Sequence, residues 1–334
     1  HYNMTITSMI NIDDLKNSYK RINKYLVETP IVSCNALNEE FKANIYLKNE
    51  VEQLTGSFKI RGALSALSNL KNQGNKGVVA YSSGNHAQGV SKAAQIFDMH
   101  AIIVMPEDAP SNKINKTKAN GAEVVLYKRH IESREDIALQ IAQEKNYPLV
   151  KPFDNEDIIA GQGSFGLEAC KYFQTNNIKP DIVLSCTSGG GLVAGTSIAF
   201  KHYFPDVEIY PVEPADCNDT EISLKNKTRT RIKHDRTTIC DALEVEIPGQ
   251  ITFPINIKNC KAGISVTDQE VCHAMKFLYE KFYIKAEPSG CVSLAAVLAK
   301  KIDVTDKNVL VTISGGNVDD KNFQEYLKLA EDQK

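Results

Sequence analysis

The chain has 334 residues, 42% of them hydrophobic, which is enough for two domains or one large one with sizeable cores. Lysine plus arginine (39) nearly balance aspartate plus glutamate (41), so no strong field is available to gather nucleic acid or an anionic membrane, and small neutral or zwitterionic molecules remain as partners. The eight cysteines form no Cys-x-x-Cys pair, which argues against a zinc site or a disulfide framework; no apolar run approaches the ~18 residues that span a bilayer, and a cytoplasmic protein is expected.

The first informative stretch is "TGSFKIRGA" (55–63), which reads as a loop running into a helix. Lys59 sits there behind an aromatic ring, company that a solvated lysine does not need. From residue 77 the pattern suggests βαβ units: "GVVAYSS" as strand, "NHAQGVSKAAQIF" as helix, "HAIIVM" as strand, "NKINKTKAN" as helix and "AEVVLY" as strand. The helix "SREDIALQIAQEKN" and a short strand "PLVK" complete that block. A second series follows, with helix "GQGSFGLEACKYF", strand "DIVLSC", a Gly-rich turn, helix "LVAGTSIAFKHY" and strand "VEIYPVE". Helices at "DQEVCHAMKFLYEKF" and "GCVSLAAVLAKKI" precede a last strand, "NVLVTIS". Strands separated by helices imply parallel sheets covered on both faces. Two doubly wound parallel-sheet domains of α/β class are therefore expected: a small one over 74–152, and a larger one assembled from 1–73 and 153–334.

Three loops carry the chemistry. "TSGGGLVAG" (187–195) follows a strand and opens a helix, where backbone N–H groups crowd around an anion at the positive helix end. It lacks both the Lys-Ser/Thr of a P-loop and the Gly-x-Gly-x-x-Gly spacing, which disfavours nucleotide hydrolysis and a nicotinamide-dependent oxidoreductase. "YSSGNHAQG" (81–89) has the same setting but offers hydroxyls, an amide and an imidazole, a set able to hold a carboxylate. Ser83 alone would suit a helix cap equally well. "ISGGNVD" (313–319) ends the last strand with the neutral hydroxyl of Ser314. In a parallel sheet ligands lie beyond the carboxyl ends of the strands, so the three loops are expected to converge.

Taken in order, "ETPIVSCNALNE", "EVEQLTGSFKIRGA", "SSGNHAQGVSKAA", "IIAGQGS", "SGGGLVAG", "EPSGCVSLAAVL" and "SGGNVD" resemble the fold-type-II (tryptophan synthase β-like) pyridoxal-phosphate enzymes. Within these the chain is similar to the serine racemase and threonine/serine dehydratase branch, over essentially its whole length. The resemblance implies that Lys59, next to Phe58, forms the Schiff base with pyridoxal 5'-phosphate and acts as general base on one face of the substrate. Ser83 would be the proton donor on the opposite face. Ser82, Ser83, Asn85 and His86 would bind the substrate carboxylate, with Asn85 also near the cofactor's ring hydroxyl. Ser188, Gly189, Gly190, Gly191 and Leu192 would cradle the phosphate, and Ser314 would meet the pyridine nitrogen. Arg134, in "IESRED", would meet the substrate side chain, although a surface pair with Glu135 or Asp136 suits it too.

The activity implied is racemisation of serine with β-elimination to pyruvate and ammonia beside it; a catabolic threonine or serine dehydratase shares the first step. "VEPADCND" resembles the divalent-metal site of eukaryotic serine racemases, with Glu213 and Asp219 as carboxylate ligands and the carbonyl of Cys217 between them, suited to magnesium, calcium or manganese. An acidic, solvated loop is the alternative there. Leu54 stands where nucleotide-activated racemases tend to carry lysine, so ATP activation is not expected. Phe153 is dehydratase-like, and 3-hydroxyaspartate is a reasonable additional substrate. A homodimer is implied by the family. A non-catalytic binding protein on the same fold is the alternative of a different class, and the presence of both Lys59 and Ser83 speaks against it.

Overall fold

The computed structural model describes residues 9–82, 84–233 and 237–331. Nine strands are present among them: β1 (Ile31–Val32), β2 (Asn44–Asn49), β3 (Gly77–Tyr81), β4 (His100–Pro106), β5 (Glu123–Tyr127), β6 (Ile182–Cys186), β7 (Glu208–Pro214), β8 (Ile264–Val266) and β9 (Asn308–Ile313). They form two sheets, one of six strands in the order β1-β2-β9-β6-β7-β8 and one of three in the order β3-β4-β5. Pairing is parallel throughout except for β1, which runs antiparallel to β2. The fold is thus an α/β fold built on two parallel sheets, as the alternation of strands and helices implies. The central strands are apolar without alternation: all five residues of β6 are buried, as they must be when helices cover both faces.

Local sequence accounts for several departures from expectation. The segment "PLVK" makes only an isolated bridge, Val79 to Leu149, because Pro148 has no N–H to give a ladder. The helix expected at "GQGSFGLEACKYF" starts earlier, at Glu156, and runs to Thr175; the Asn155 side chain caps it by accepting from the Ile158 N–H. Its glycines allow close packing. A Cβ on Gly161 would lie 2.4 Å from the Arg61 carbonyl oxygen, so the helix Lys59–Asn72 presses directly against it. No helix of the described residues is long and apolar enough to cross a membrane.

Where these helices meet the six-stranded sheet lies a buried ion network. Arg61 Nε donates to Glu50 Oε1 at 2.5 Å, and its two terminal nitrogens each reach Glu168 at 2.8 Å. Lys48, from β2, donates to Glu168 Oε1 at 2.9 Å and to the Thr29 carbonyl at 3.0 Å. Burial would raise the Glu168 carboxyl, but Arg61 and Lys48 hold it below the usual carboxylate range. All four charged side chains are buried, so none has water as an alternative partner. Arg61→Met should leave Glu50 and Glu168 without their shared cation and cost about 3–5 kcal/mol. Denaturant unfolding of the variant would measure this, and a loss under about 1 kcal/mol would mean that the network contributes little.

Candidate active site

The carboxyl ends of β3, β5, β6 and β9 open toward one cavity of about 510 Å³. Phe58, Lys59, Ser82, Asn85, His86, Arg134, Ser314 and the whole run Ser188–Leu192 line it, so residues from the three sequence loops meet at one place. Ser83 lies outside the described residues. Glu213, Cys217 and Asp219 lie elsewhere, at and just beyond the end of β7.

Lys59 opens the helix Lys59–Asn72, and its amine donates to the Pro152 carbonyl at 2.9 Å. Its Nζ also stands 5.4 Å from the centre of the Phe58 ring. It keeps some contact with solvent through the cavity yet has protein on all sides at longer range, and this burial lowers its pKa from 10.5 to about 8. The positive end of its own helix acts in the same direction. On the adjacent wall His86 is 4% exposed and bonded through Nε2 to the Val150 carbonyl at 2.9 Å. A carbonyl only accepts, so Nε2 carries the proton and Nδ1 is left as an acceptor. Burial, with Lys59 close by, pushes His86 down to about 3, so the ring is neutral.

The glycine loop follows β6. Gly190 takes φ +101° and caps the helix Gly191–Tyr203, a conformation that glycine adopts without strain. A Cβ on Gly189 would lie 2.2 Å from the Phe153 ring, so no side chain fits there. Ser314 is buried at the end of β9, and its carbonyl accepts from the Phe58 N–H at 3.1 Å, which ties its loop to the lysine's. Arg134 makes the surface pair expected of it, with Glu135 at 3.0 Å, and also lines the cavity with its guanidinium 5.2 Å from the centre of the Tyr81 ring.

Two groups of the site were not singled out from sequence. Glu287 accepts from the Asn85 side chain at 2.9 Å and from the Asn317 backbone at 2.7 Å, while Asn317 Nδ2 donates to Asn85 Oδ1 at 2.7 Å. Burial raises Glu287 to about 7, although those bonds oppose the shift. Both residues stand inside motifs quoted above, "EPSG" and "SGGNVD", but an acid and an amide there carry no signal until the fold joins them. Arg129, bonded to both oxygens of Asp108 at 3.0 and 3.1 Å, also lines the cavity.

At the end of β7 the buried Glu213 carboxylate accepts from the backbone of Thr220 at 2.8 Å and Glu221 at 2.9 Å. Burial, and then the charge of the buried Asp219, push its pKa well above the ordinary carboxylate range. Among the described residues no group of three or more His, Cys, Asp or Glu side chains is placed to hold a metal. Two buried like charges that oppose each other's ionisation do fit a cation supplemented by a backbone carbonyl.

A primary amine, a side-chain-free cradle at a helix N-terminus and a buried neutral hydroxyl around one cavity fit a phosphorylated aldehyde cofactor. The family model for "Pyridoxal-phosphate dependent enzyme" matches residues 22–315. The chain belongs to this family of pyridoxal-phosphate dependent enzymes. It is 37% identical to an L-threo-3-hydroxyaspartate ammonia-lyase of Saccharomyces cerevisiae, over 96% of this chain and 97% of that one. It is 36% identical to a serine racemase of Schizosaccharomyces pombe, over 94% of this chain and 96% of that one. The solved structure of a serine racemase from Dictyostelium discoideum is similar with a TM-score of 0.85 at 38% identity, covering 93% of this chain and all of that one (100%).

In this pyridoxal-phosphate dependent enzyme the lowered pKa of Lys59 has a readable consequence. Only the neutral amine attacks an aldehyde, so the rate at which cofactor-free protein captures pyridoxal phosphate should rise with pH through a midpoint near 8 and then level off. Stopped-flow absorbance would follow it. A rate still rising at pH 10 would mean an unperturbed lysine. The same shift makes the folded state carry the cost of charging Lys59 below pH 8, a cost relieved between about 8 and 10.5 as the unfolded lysine also loses its proton.

Proposed function

We propose that the chain is a pyridoxal-phosphate dependent serine racemase that also eliminates the hydroxyl of serine, giving pyruvate and ammonia. The observation that carries this reading is the Lys59 amine, set in the cavity against a backbone carbonyl rather than a carboxylate, with a pKa near physiological pH. Pyridoxal phosphate, when bound, supplies an electron sink that acidifies the α-hydrogen of an amino acid. Lys59 then holds or moves the proton on one face of the α-carbon. Ser83, assigned from its place in "SSGNH", returns a proton on the other face. The neutral His86 ring, Ser82 and Asn85 orient the substrate carboxylate without adding a fixed charge. Ser314 offers the ring nitrogen a hydroxyl and not a carboxylate, so it does not enforce ring protonation, and loss of a β-hydroxyl competes with return of the proton.

Residues 74–152 are assigned as a small domain that closes over the substrate, and residues 1–73 with 153–334 as the domain that holds the cofactor. A homodimer belongs to the same proposal. A second reading, elimination from an acidic 3-hydroxy amino acid, is supported by Arg129 and Arg134 on one wall of the cavity and by similarity to the 3-hydroxyaspartate ammonia-lyase.

Product partition from L-serine tests the assignment, with D-serine measured by chiral chromatography and pyruvate by a coupled assay. Ser83→Ala should lower D-serine formation by at least about 100-fold and leave pyruvate formation within a few-fold, because elimination needs only the Lys59 face. Equal loss of both would place Ser83 in binding, and pyruvate as the sole product of the wild type would make the chain a dehydratase.

We also propose that Glu213, Asp219 and the Cys217 carbonyl hold a divalent cation, magnesium or else calcium or manganese, which offsets the two buried charges at the end of β7. A chelator should then lower the melting temperature of the wild type and leave that of Glu213→Ala unchanged. A wild type whose melting ignores the chelator would reduce "VEPADCND" to a carboxylate cap on the following helix.

A further inference from the structure

We infer that Thr252 and Asn256 are positioning residues for the phosphate cradle: they hold its carbonyls turned back into the protein, so that its N–H groups face the cavity. Both lie in the helix Thr252–Asn259, which is separate from the loop they grip, and both are buried, at 0% and 2% exposure. Thr252 Oγ1 donates to the Gly189 carbonyl at 2.6 Å, and the Gly249 N–H donates to the same oxygen at 3.1 Å. Asn256 Nδ2 donates to the Gly190 carbonyl at 3.2 Å, beside the Ala194 N–H of the loop's own helix, which reaches the same oxygen at 3.0 Å.

The consequence follows from peptide planarity. In a trans peptide the carbonyl and the next residue's N–H point to opposite sides. With the Gly189 and Gly190 carbonyls held toward this helix, the N–H groups of Gly190 and Gly191 are directed the other way, to the cavity that the loop lines. The Gly190 carbonyl is also held by its own helix, whereas the Gly189 carbonyl has its bonds from Thr252 and Gly249; without that hold a glycine peptide turns at little cost and would present an oxygen to the anion. Asn256 Oδ1 is buried with no hydrogen-bond partner among the described residues, so the amide is fixed by its one bond to the loop and by packing. Gly190 leaves no space between them: a Cβ there would lie 2.6 Å from Asn256 Nδ2.

The clamp is itself anchored. Asp154 accepts from the Gln250 N–H at 2.9 Å and from the Ile251 N–H at 2.7 Å, which fixes the turn that delivers Thr252. Asp154 follows Phe153, whose ring packs on Gly189, and Pro152, whose carbonyl takes the Lys59 amine. One short segment thus registers the clamp, the cradle and the amine against one another.

The inference rests on the family's cofactor and not on which reaction the enzyme favours. Its test compares pyridoxal 5'-phosphate with pyridoxal, which lacks the phosphate, in absorbance titrations of cofactor-free protein. Thr252→Val should weaken pyridoxal phosphate binding about tenfold and leave pyridoxal binding unchanged. Thr252→Ser keeps the hydroxyl and should bind both as the wild type does. Should Thr252→Val not fold, Asn256→Ala, which removes one of the two donors to the Gly190 carbonyl and leaves the Ala194 N–H, should show the same contrast at smaller size. Equal weakening of both ligands, or no weakening of either, would overturn the clamp. Failure of the wild type itself to take up pyridoxal phosphate would count against the cofactor assignment instead.

Discussion

Arg61 fixes where the lysine two residues before it can be. Its guanidinium joins Glu50, which follows β2, to Glu168 in the long helix Glu156–Thr175, and Lys48 closes the set from β2 itself. A buried pair of this kind contributes little net stability beside an apolar replacement, because desolvation of the charges offsets their attraction. Its geometric demand is severe, since any shift of the helix Lys59–Asn72 by one residue would leave a buried carboxylate without a cation. The network thus serves as a register for the start of that helix. The register places Lys59 at the mouth of β9's loop, where Ser57 bridges to Gly315 and the Phe58 N–H meets the Ser314 carbonyl.

Charge is distributed in the cavity by the same logic. The Lys59 amine has a carbonyl for a partner, the His86 imidazole is held neutral, and Glu287, which lines the same cavity, is drawn toward neutrality by burial. A strong ion pair to Lys59 would raise its pKa; here desolvation lowers it instead. Arg129 and Arg134, which also line the cavity, are each already engaged by a carboxylate, Asp108 and Glu135 respectively.

Much of this was legible in the sequence because backbone chemistry is local. A glycine run between a strand and a helix has few other uses, and Ile-Val-Leu runs such as that in β6 announce a strand covered on both faces. What stayed hidden depends on contacts distant along the chain. The two-residue β1 is too short to show a period and exists only because β2 offers it an antiparallel edge. Glu287 and Asn85 are 202 positions apart, and Thr252 and Gly189 are 63 apart, so neither pair leaves a local pattern. The pairing of Arg134 with Glu135 was legible because the two are neighbours, whereas its contact with the Tyr81 ring, 53 positions away, was not.

The segment from Val150 to Asn155 connects these parts of the site. It leaves the three-stranded sheet and enters the long helix, and on the way it gives the Val150 carbonyl to His86, the Pro152 carbonyl to Lys59, the Phe153 ring to Gly189 and the Asp154 carboxylate to the turn behind the glycine loop. Asn155 then caps the helix that carries Glu168. Each of these contacts uses a different chemical group, so none substitutes for another if the segment moves. A displacement of this segment would therefore disturb the Lys59 amine, the neutral His86 ring and the glycine loop at once.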